Sequence, residues 1–326
     1  MPVDEFDIIR RHFVRTRSAR DDVIAGIGDD AALLQVPPRQ ELVICTDTLV
    51  AGRHFPAGTH PAAIGHKSLA VNLSDLAAMG ADPAWATLAL TVPGYDEAWM
   101  DAFMRGFFQL ADLYNIELIG GDTTRGPLSV TVQAHGFVPH GQAVLRRGAQ
   151  PGDRIYVTGT LGDAGLALYL VDAAGEALRR RLDFPAPRIV AGRALREQAS
   201  AAIDVSDGLL ADLGHLLEID GLGATLQIDA LPRSREFLGR LKQAGVEADT
   251  LFYELPLAAG DDYELCFTVT EDKAAALEAA IKSLDCDCTR IGMIDARPGI
   301  RCLRQDTTAY HPEGAGYLHF GDPHGR

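Results

Sequence analysis

The chain has no G-x-x-x-x-G-K-[ST] segment, which excludes a P-loop route to nucleotide phosphates. Gly26-Ile27-Gly28-Asp29-Asp30 begins like a dinucleotide fingerprint, but Ala31 stands where its third glycine belongs, and two acids would repel a bare pyrophosphate. The five cysteines, at 45, 266, 286, 288 and 302, form no C-x-x-C pair. Such an odd, scattered set excludes a disulfide scaffold and suits a reducing compartment. Cys286 and Cys288 have no second ligand pair after them and read as packing residues. No run approaches the roughly 18–20 apolar residues of a membrane span. The opening MPVDEFDII lacks a basic n-region and an apolar h-region, so no signal peptide is expected. Positive charge is short: Lys and Arg number 30 against 45 Asp and Glu, a formal net charge of −15. That balance repels nucleic-acid backbones and anionic lipid. Neither nucleic acid nor membrane is expected as a partner, and the protein is expected to be cytoplasmic.

What is present is a globular composition, 47% hydrophobic and 23% charged over 326 residues. At about 100–200 residues per domain, two domains are expected. Leu42 to Cys45 is an apolar run. Ala86, Leu88, Leu90 and Val92 alternate with Thr87, Ala89 and Thr91, and Leu128 to His135 alternates likewise. Period two predicts half-buried, antiparallel strands. Ile116 to Ile119 reads as another strand. Helices are expected over about 62–79, entered at Pro61 and stopped by Gly80, and over about 96–114. The turn-rich segment 146–153 sets the boundary, giving domains 1–148 and 149–326. Beyond it, strands are expected near 154–158, 224–228 and 264–270, and helices from 164 and near 187–199, 208–219 and 271–284. The fold class is α/β (α+β layered), with mixed sheets and helices packed on one face.

Five acidic motifs stand out: Gly28-Asp29-Asp30, Thr46-Asp47-Thr48, Asn72-Leu73-Ser74-Asp75, Gly120-Gly121-Asp122-Thr123-Thr124 and Asp204-Val205-Ser206-Asp207-Gly208. Each alone has a plain structural explanation. Asp29 or Asp30 suits a turn, Gly120-Gly121 a tight turn, and Ser206 or Asp207 a helix cap. Asp75 shares a helical face with Val71, Ala78 and Met79, where a carboxylate is costly unless it is paired. Asp47 and Asp122 read as lying just past apolar strands, and adjacent strands would set those ends side by side. Two carboxylates about 4 Å apart repel by roughly 4 kcal/mol at an effective dielectric of 20. Converging acids therefore imply divalent cations, and hard oxygen ligands without His or Cys favour Mg²⁺. That donor set suits metal-assisted phosphoryl chemistry. His54 could reach a ligand or sit on the surface. Arg146 and Arg147 could hold phosphate or form a solvated linker, and Asp261-Asp262-Tyr263-Glu264 could face substrate or make a charged turn.

In order along the chain come GIGDDAALL (26–34), CTDTLVAGRHF (45–55), KSLAVNLSDLAAMGADP (67–83), LIGGDTTRGPLS (118–129), YVTGTLGD (156–163), AIDVSDGL (202–209) and DDYELCFTV (261–269). Together they resemble the bacterial thiamine-monophosphate kinase family, from about Phe6 to Phe320. This family shares a superfamily with aminoimidazole ribonucleotide synthetase and selenophosphate synthetase. The resemblance implies an aminoimidazole ribonucleotide synthetase-like fold, a homodimer through the sheet of the N-terminal domain, and ATP with several Mg²⁺ ions in the cleft between domains. It implies metal ligands at Asp30, Thr46, Asp47, Asp75, Asp122, Asp204 and Asp207, with Asp122, Asp75 and Asp47 central to catalysis. Nucleotide contacts would fall on Gly121, Asp122, Arg146 and Ser206, and thiamine monophosphate contacts on His54, Asp261 and Tyr317. The implied reaction is direct in-line transfer of the γ-phosphate of ATP to thiamine monophosphate. Two departures stand against the pattern. Asp261 replaces the usual glutamate of Gly-Gly-Glu-Asp-Tyr, and Met104 aligns where some members place a tyrosine near adenine. Two other readings compete: another ATP-dependent enzyme of the superfamily, and a non-catalytic acidic metal-binding protein. Selenophosphate synthetase chemistry needs a reactive cysteine in a glycine-rich N-terminal segment, and this chain has none before Cys45.

Overall fold

The computed structural model describes residues 4–15, 20–244 and 248–317. The first residues of the opening segment and Phe320, where the family resemblance ends, lie outside the described residues. Contacts divide the chain into two units, one running to Leu76 with Ala81–Ala143, the other comprising Ala77–Gly80 and the residues from Val144 on. The expected boundary at 148/149 lies a few residues further along.

The first unit holds α1 (Glu5–Ile8), β1 (Val23–Ala25), β2 (Leu33–Leu34), β3 (Gln40–Val50), all but the last two residues of α2 (Pro61–Ala78), β4 (Asp82–Val92), α3 (Glu97–Leu113), β5 (Glu117–Arg125) and β6 (Ser129–Pro139). β3, β6, β4 and β5 form one sheet in that order. The β3–β6 and β6–β4 pairs are antiparallel, as period two predicts, whereas β4–β5 is parallel because α3 carries the chain back before β5 begins. Helix α3 starts where the Asp96 carboxylate accepts the Trp99 N–H at 3.1 Å, a side-chain cap for an otherwise orphaned donor. Helices α2 and α3 approach closely at two glycines: a Cβ on Gly65 would lie 2.0 Å from Phe103 O, and one on Gly106 1.9 Å from Ala62 O. Trp85, Phe103, Phe107, Leu69 and Leu73 are fully buried. Each contributes about 1.5–3 kcal/mol of transfer free energy.

The second unit holds β7 (Arg154–Thr158), α4 (Asp163–Leu170), α5 (Gly175–Asp183), α6 (Ile189–Leu195), β8 (Ala201–Val205), α7 (Leu209–Asp220), β9 (Gly223–Gln227), α8 (Arg235–Ala244), α9 (Ala248–Ala258), β10 (Glu264–Val269), α10 (Glu271–Lys282), β11 (Cys288–Asp295), β12 (Gly299–Leu303) and β13 (Ala309–Tyr310). Its seven-stranded sheet runs β13-β12-β9-β11-β7-β10-β8, with β9–β12 the parallel pair. The core gathers Ile155, Val157, Ile203, Val205, Leu226 and Ile291 with Leu209, Leu213 and Leu216 from α7. The helix expected over 187–199 is confined to α6. Helices α1, α5, α8 and α9 and strands β1, β2, β8 and β11 to β13 were not legible as elements. Among the described residues no helix is long and apolar enough to cross a membrane.

Candidate active site

In the first unit the sheet carries most of the acidic motifs, but not as the sequence suggests. Strands β3 and β5 run on through Asp47 and Asp122, and they occupy the two edges of the sheet, with β6 and β4 between them. The two carboxylates are therefore not on adjacent strand ends. Asp47 shares a row with Val132, Leu88 and Gly121, and Asp122 shares the next with Ala89, Thr131 and Thr48. The Thr48 and Thr131 hydroxyls are hydrogen-bonded at 2.8 Å. Thr46 Oγ1 accepts from Gln133 Nε2 at 3.2 Å. Asp30 and Asp122 are exposed, and Asp47 is half-buried. Gly121 has φ +154°, and a Cβ there would lie 1.9 Å from Leu88 O, so the backbone passes β4 at a distance no side chain permits.

Helix α2 lies over β3, where the Cys45 thiol donates to Asn72 O at 3.2 Å. Asp75 is half-buried on it. Two neighbours in the same motif, Asn72 and Ser74, are fully buried, and Asn72 Oδ1 and Ser74 Oγ lack hydrogen-bond partners. Such atoms cost about 1–3 kcal/mol when unsatisfied. His54 Nδ1 accepts the Val50 N–H at 2.9 Å. In the neutral ring this places the proton on Nε2, which becomes a donor.

In the second unit the fifth motif forms a tight loop between β8 and α7. Gly208, at φ +118°, rather than Ser206 or Asp207, holds the N-cap position of α7. The cap comes from within the helix. Asp212 Oδ2 accepts the N–H groups of Ser206, Asp207 and Gly208 at 2.9, 3.0 and 3.1 Å. Three successive backbone donors aimed at one oxygen make an anion nest. Burial, then the nearby Asp204 and Asp207 charges, raise the Asp212 carboxyl to about 7. The sequence reading did not single out Asp212. Its signal was a carboxylate four residues after Gly208 among the buried leucines 209, 213 and 216.

The same loop gathers two further site residues. Asp261 N donates to Ser206 O at 2.8 Å, and Tyr317 N donates to Asp207 O at 2.9 Å. Asp204, Ser206, Asp207, Asp261 and Tyr317 are thus linked through one loop. Asp261 and Tyr263 both have positive φ, +60° and +50°, a strained pair for residues with side chains. Their neighbours are structural. Asp262 is buried and accepts the Gly162 N–H at the start of α4, and burial pushes its carboxyl well up. Glu264, fully buried, is held by Arg188 at 2.5 and 2.6 Å, Arg181 at 2.8 Å and Thr158 Oγ1 at 2.8 Å. Arg146 is exposed and lines a hollow with His215, Glu218 and Ile219 of α7. Among the described residues, no three His, Cys, Asp or Glu side chains form a metal site by themselves.

Residues 28–138 match the family model of the AIR synthase related protein N-terminal domain, and residues 150–303 that of its C-terminal domain. The chain is 50% identical to the thiamine-monophosphate kinase of Escherichia coli strain K12 over 332 residues, covering 99% of this chain and 100% of that protein. The crystal structure of thiamine-monophosphate kinase from Stenotrophomonas maltophilia K279a superposes with a TM-score of 0.81 at 50% identity, covering 89% of this chain and 93% of that one. A structure of AaThiL complexed with AMPPCP and TMP superposes with a TM-score of 0.75 at 30% identity, covering 90% and 92%. The two-domain α/β fold, the ordered motifs and full-length identity at this level agree: the chain belongs to the thiamine-monophosphate kinase family.

Proposed function

We propose that the chain transfers the γ-phosphoryl group of ATP to the phosphate of thiamine monophosphate in one in-line step, without a phosphoenzyme and with several Mg²⁺ ions. The observation that carries this reading is the 50% identity with a thiamine-monophosphate kinase along 99% of the chain. The relative named as a complex with AMPPCP and TMP supports ATP and thiamine monophosphate as the substrate pair.

The donor set fits Mg²⁺. The proposed ligands Asp30, Thr46, Asp47, Asp75, Asp122, Asp204 and Asp207 offer hard oxygens with no His or Cys among them. In the second unit Asp204 and Asp207 lie close enough to Asp212 to raise its carboxyl, a repulsion that a cation would relieve. A set of carboxylates without a closed protein cage suits an ion that keeps water and phosphate oxygens in its shell. When bound, Mg²⁺ would neutralise charge on the transferring phosphoryl group.

The remaining roles belong to the chain's own residues. Gly121 lets the backbone beside Asp122 run close to β4, and we assign it with Asp122, Arg146 and Ser206 to ATP. His54 presents Nε2 as a donor, a form suited to a phosphate oxygen. Asp261 and Tyr317, tied to the backbone of the Asp207 loop, would hold thiamine monophosphate. Leu42, Ile44 and Val50 alternate along edge strand β3 with 40%, 52% and 36% of their surface exposed. Leu42 and Ile44, with Val50 beyond Thr46 and Thr48 on the same face, support a homodimer through the first unit. We place the enzyme in the cytoplasm, in keeping with five scattered cysteines that form no C-x-x-C pair. A coupled assay of ADP release decides the reaction. Turnover with thiamine monophosphate and little with free thiamine is expected, and equal rates with both would refute the assignment.

A further inference from the structure

The segment after β13 crosses the second unit as a strap and is fastened at two points. At the first, one α9 side chain takes three donors. Glu254 Oε1 accepts Tyr310 OH at 2.5 Å and Glu313 N–H at 3.1 Å, and Oε2 accepts Gly314 N–H at 3.2 Å. At the second, three residues on, Tyr317 N donates to Asp207 O at 2.9 Å. Between them the strap packs tightly. A Cβ on Gly316, which has φ +115°, would lie 2.5 Å from Ala211 Cβ and 3.0 Å from Asp207 O, and one on Gly314 would lie 3.2 Å from Ala258 Cβ. The Tyr317 side chain remains 37% exposed at the end of this strap.

We propose that Glu254 is a positioning residue for thiamine monophosphate, acting through the strap that delivers Tyr317 to the Asp207 loop. The inference rests on the reading of Tyr317 as a substrate contact. The physical argument is entropic. A strap released at 313–314 leaves Tyr317 held through its Asp207 contact alone, and binding would then have to order the loosened backbone. A carboxylate taking three donors, two of them backbone N–H groups, removes that cost in advance. ATP is assigned to other residues, so the effect should be confined to one substrate.

The test measures kcat and the two KM values for Glu254→Ala, Tyr317→Ala and the Glu254→Ala/Tyr317→Ala double variant, with melting curves as the fold control. Glu254→Ala should raise KM for thiamine monophosphate by about tenfold or more and leave KM for ATP within about twofold. The double variant should be no worse than Tyr317→Ala alone, because a residue acting through another has nothing left to lose. Should Glu254→Ala fold poorly, Glu254→Gln and Tyr310→Phe loosen the same anchor more gently and should show a smaller shift in the same KM. An unchanged KM for thiamine monophosphate, an equal rise in both KM values, or additive effects in the double variant would overturn the proposal. A wild-type KM in Tyr317→Ala would instead remove Tyr317 from the substrate site, and the strap's role would fall with it.

Discussion

Asp47 and Asp122 stand on opposite edge strands of one sheet, three strand spacings or roughly 14 Å apart along adjacent rows. Neither can substitute for the other. Asp122 is exposed on β5, so Asp122→Asn should change stability by no more than about 0.5 kcal/mol. Its turnover should nonetheless fall at least about 100-fold, roughly 2.7 kcal/mol of transition-state stabilisation. Asp75→Asn, half-buried on α2, should lose turnover to the same extent. Steady-state rates at saturating Mg²⁺ with parallel melts check both. Near-normal turnover in either variant would remove that residue from the catalytic set.

Asp212 should behave differently, because it organises backbone rather than meeting substrate. Asp212→Ala leaves three N–H groups without their acceptor and should cost about 2 kcal/mol or more in stability. Asp212→Asn keeps an acceptor oxygen and should lose less. Both should raise KM for both substrates, since Ser206, Asp207, Asp261 and Tyr317 all depend on the same loop. Chemical denaturation and the two KM values report this. A destabilised alanine variant with unchanged KM values would show that the nest serves folding alone.

The motifs of the candidate site were legible where the pattern is local, and their arrangement was obscure where it depends on distant pairing. Gly28-Asp29-Asp30, Gly120-Gly121-Asp122 and Asp204 to Gly208 each announce themselves within five residues. The order β3-β6-β4-β5 does not. Which strand lies beside β3 is set by pairings between segments distant in sequence, β3 with β6 and β6 with β4. Reading Asp47 and Asp122 as neighbours failed for that reason. The long helices α2 and α3 were found because Pro61, Gly80 and the Asp96 cap mark their ends. Helices α5, α8 and α9 were not, and α9 carries Pro256 inside it, against the usual preference. Glu264 looked like part of a charged turn, and only the folded chain shows Arg181 and Arg188 closing over it.

Acid should weaken the first unit through Asp22. Its carboxylate takes a bidentate pair from Arg20 at 2.9 and 2.8 Å and the indole N–H of Trp85 at 2.9 Å. The Arg20 hydrogen bonds, opposed in part by burial, hold its pKa below the ordinary 3.8. A depressed carboxylate contributes stability that is present above its unfolded pKa and is lost as pH falls through its folded value. The loss should therefore begin below about pH 4. Trp85 is fully buried, so its fluorescence follows the same transition. Asp22→Asn should lower stability at neutral pH by about 1–3 kcal/mol and flatten the acid limb of the melting profile. A variant with the wild-type acid limb would show that other carboxylates govern it.

Folding should also be linked to Mg²⁺ and nucleotide. The proposed ligands Asp30, Asp47, Asp75 and Asp122 come from four segments of the first unit, and Asp204 and Asp207 from the second. The chain already carries −15, so each native carboxylate adds to self-repulsion that a bound cation offsets. The raised carboxyl of Asp212, pushed up in part by Asp204 and Asp207, is the local sign of that repulsion. A ligand at 100 times its Kd stabilises the native state by about 2.7 kcal/mol if it does not bind the unfolded chain. Mg²⁺ alone should give a modest rise in Tm. Mg²⁺ with a non-hydrolysable ATP analogue should give a larger one, because phosphate oxygens complete the metal's shell. The analogue in EDTA should give little, since polyphosphate then meets carboxylates without a cation between them. Thermal melts at constant ionic strength separate these cases. Full stabilisation by the analogue in EDTA would mean that nucleotide is held without metal, and the acidic residues would need another role.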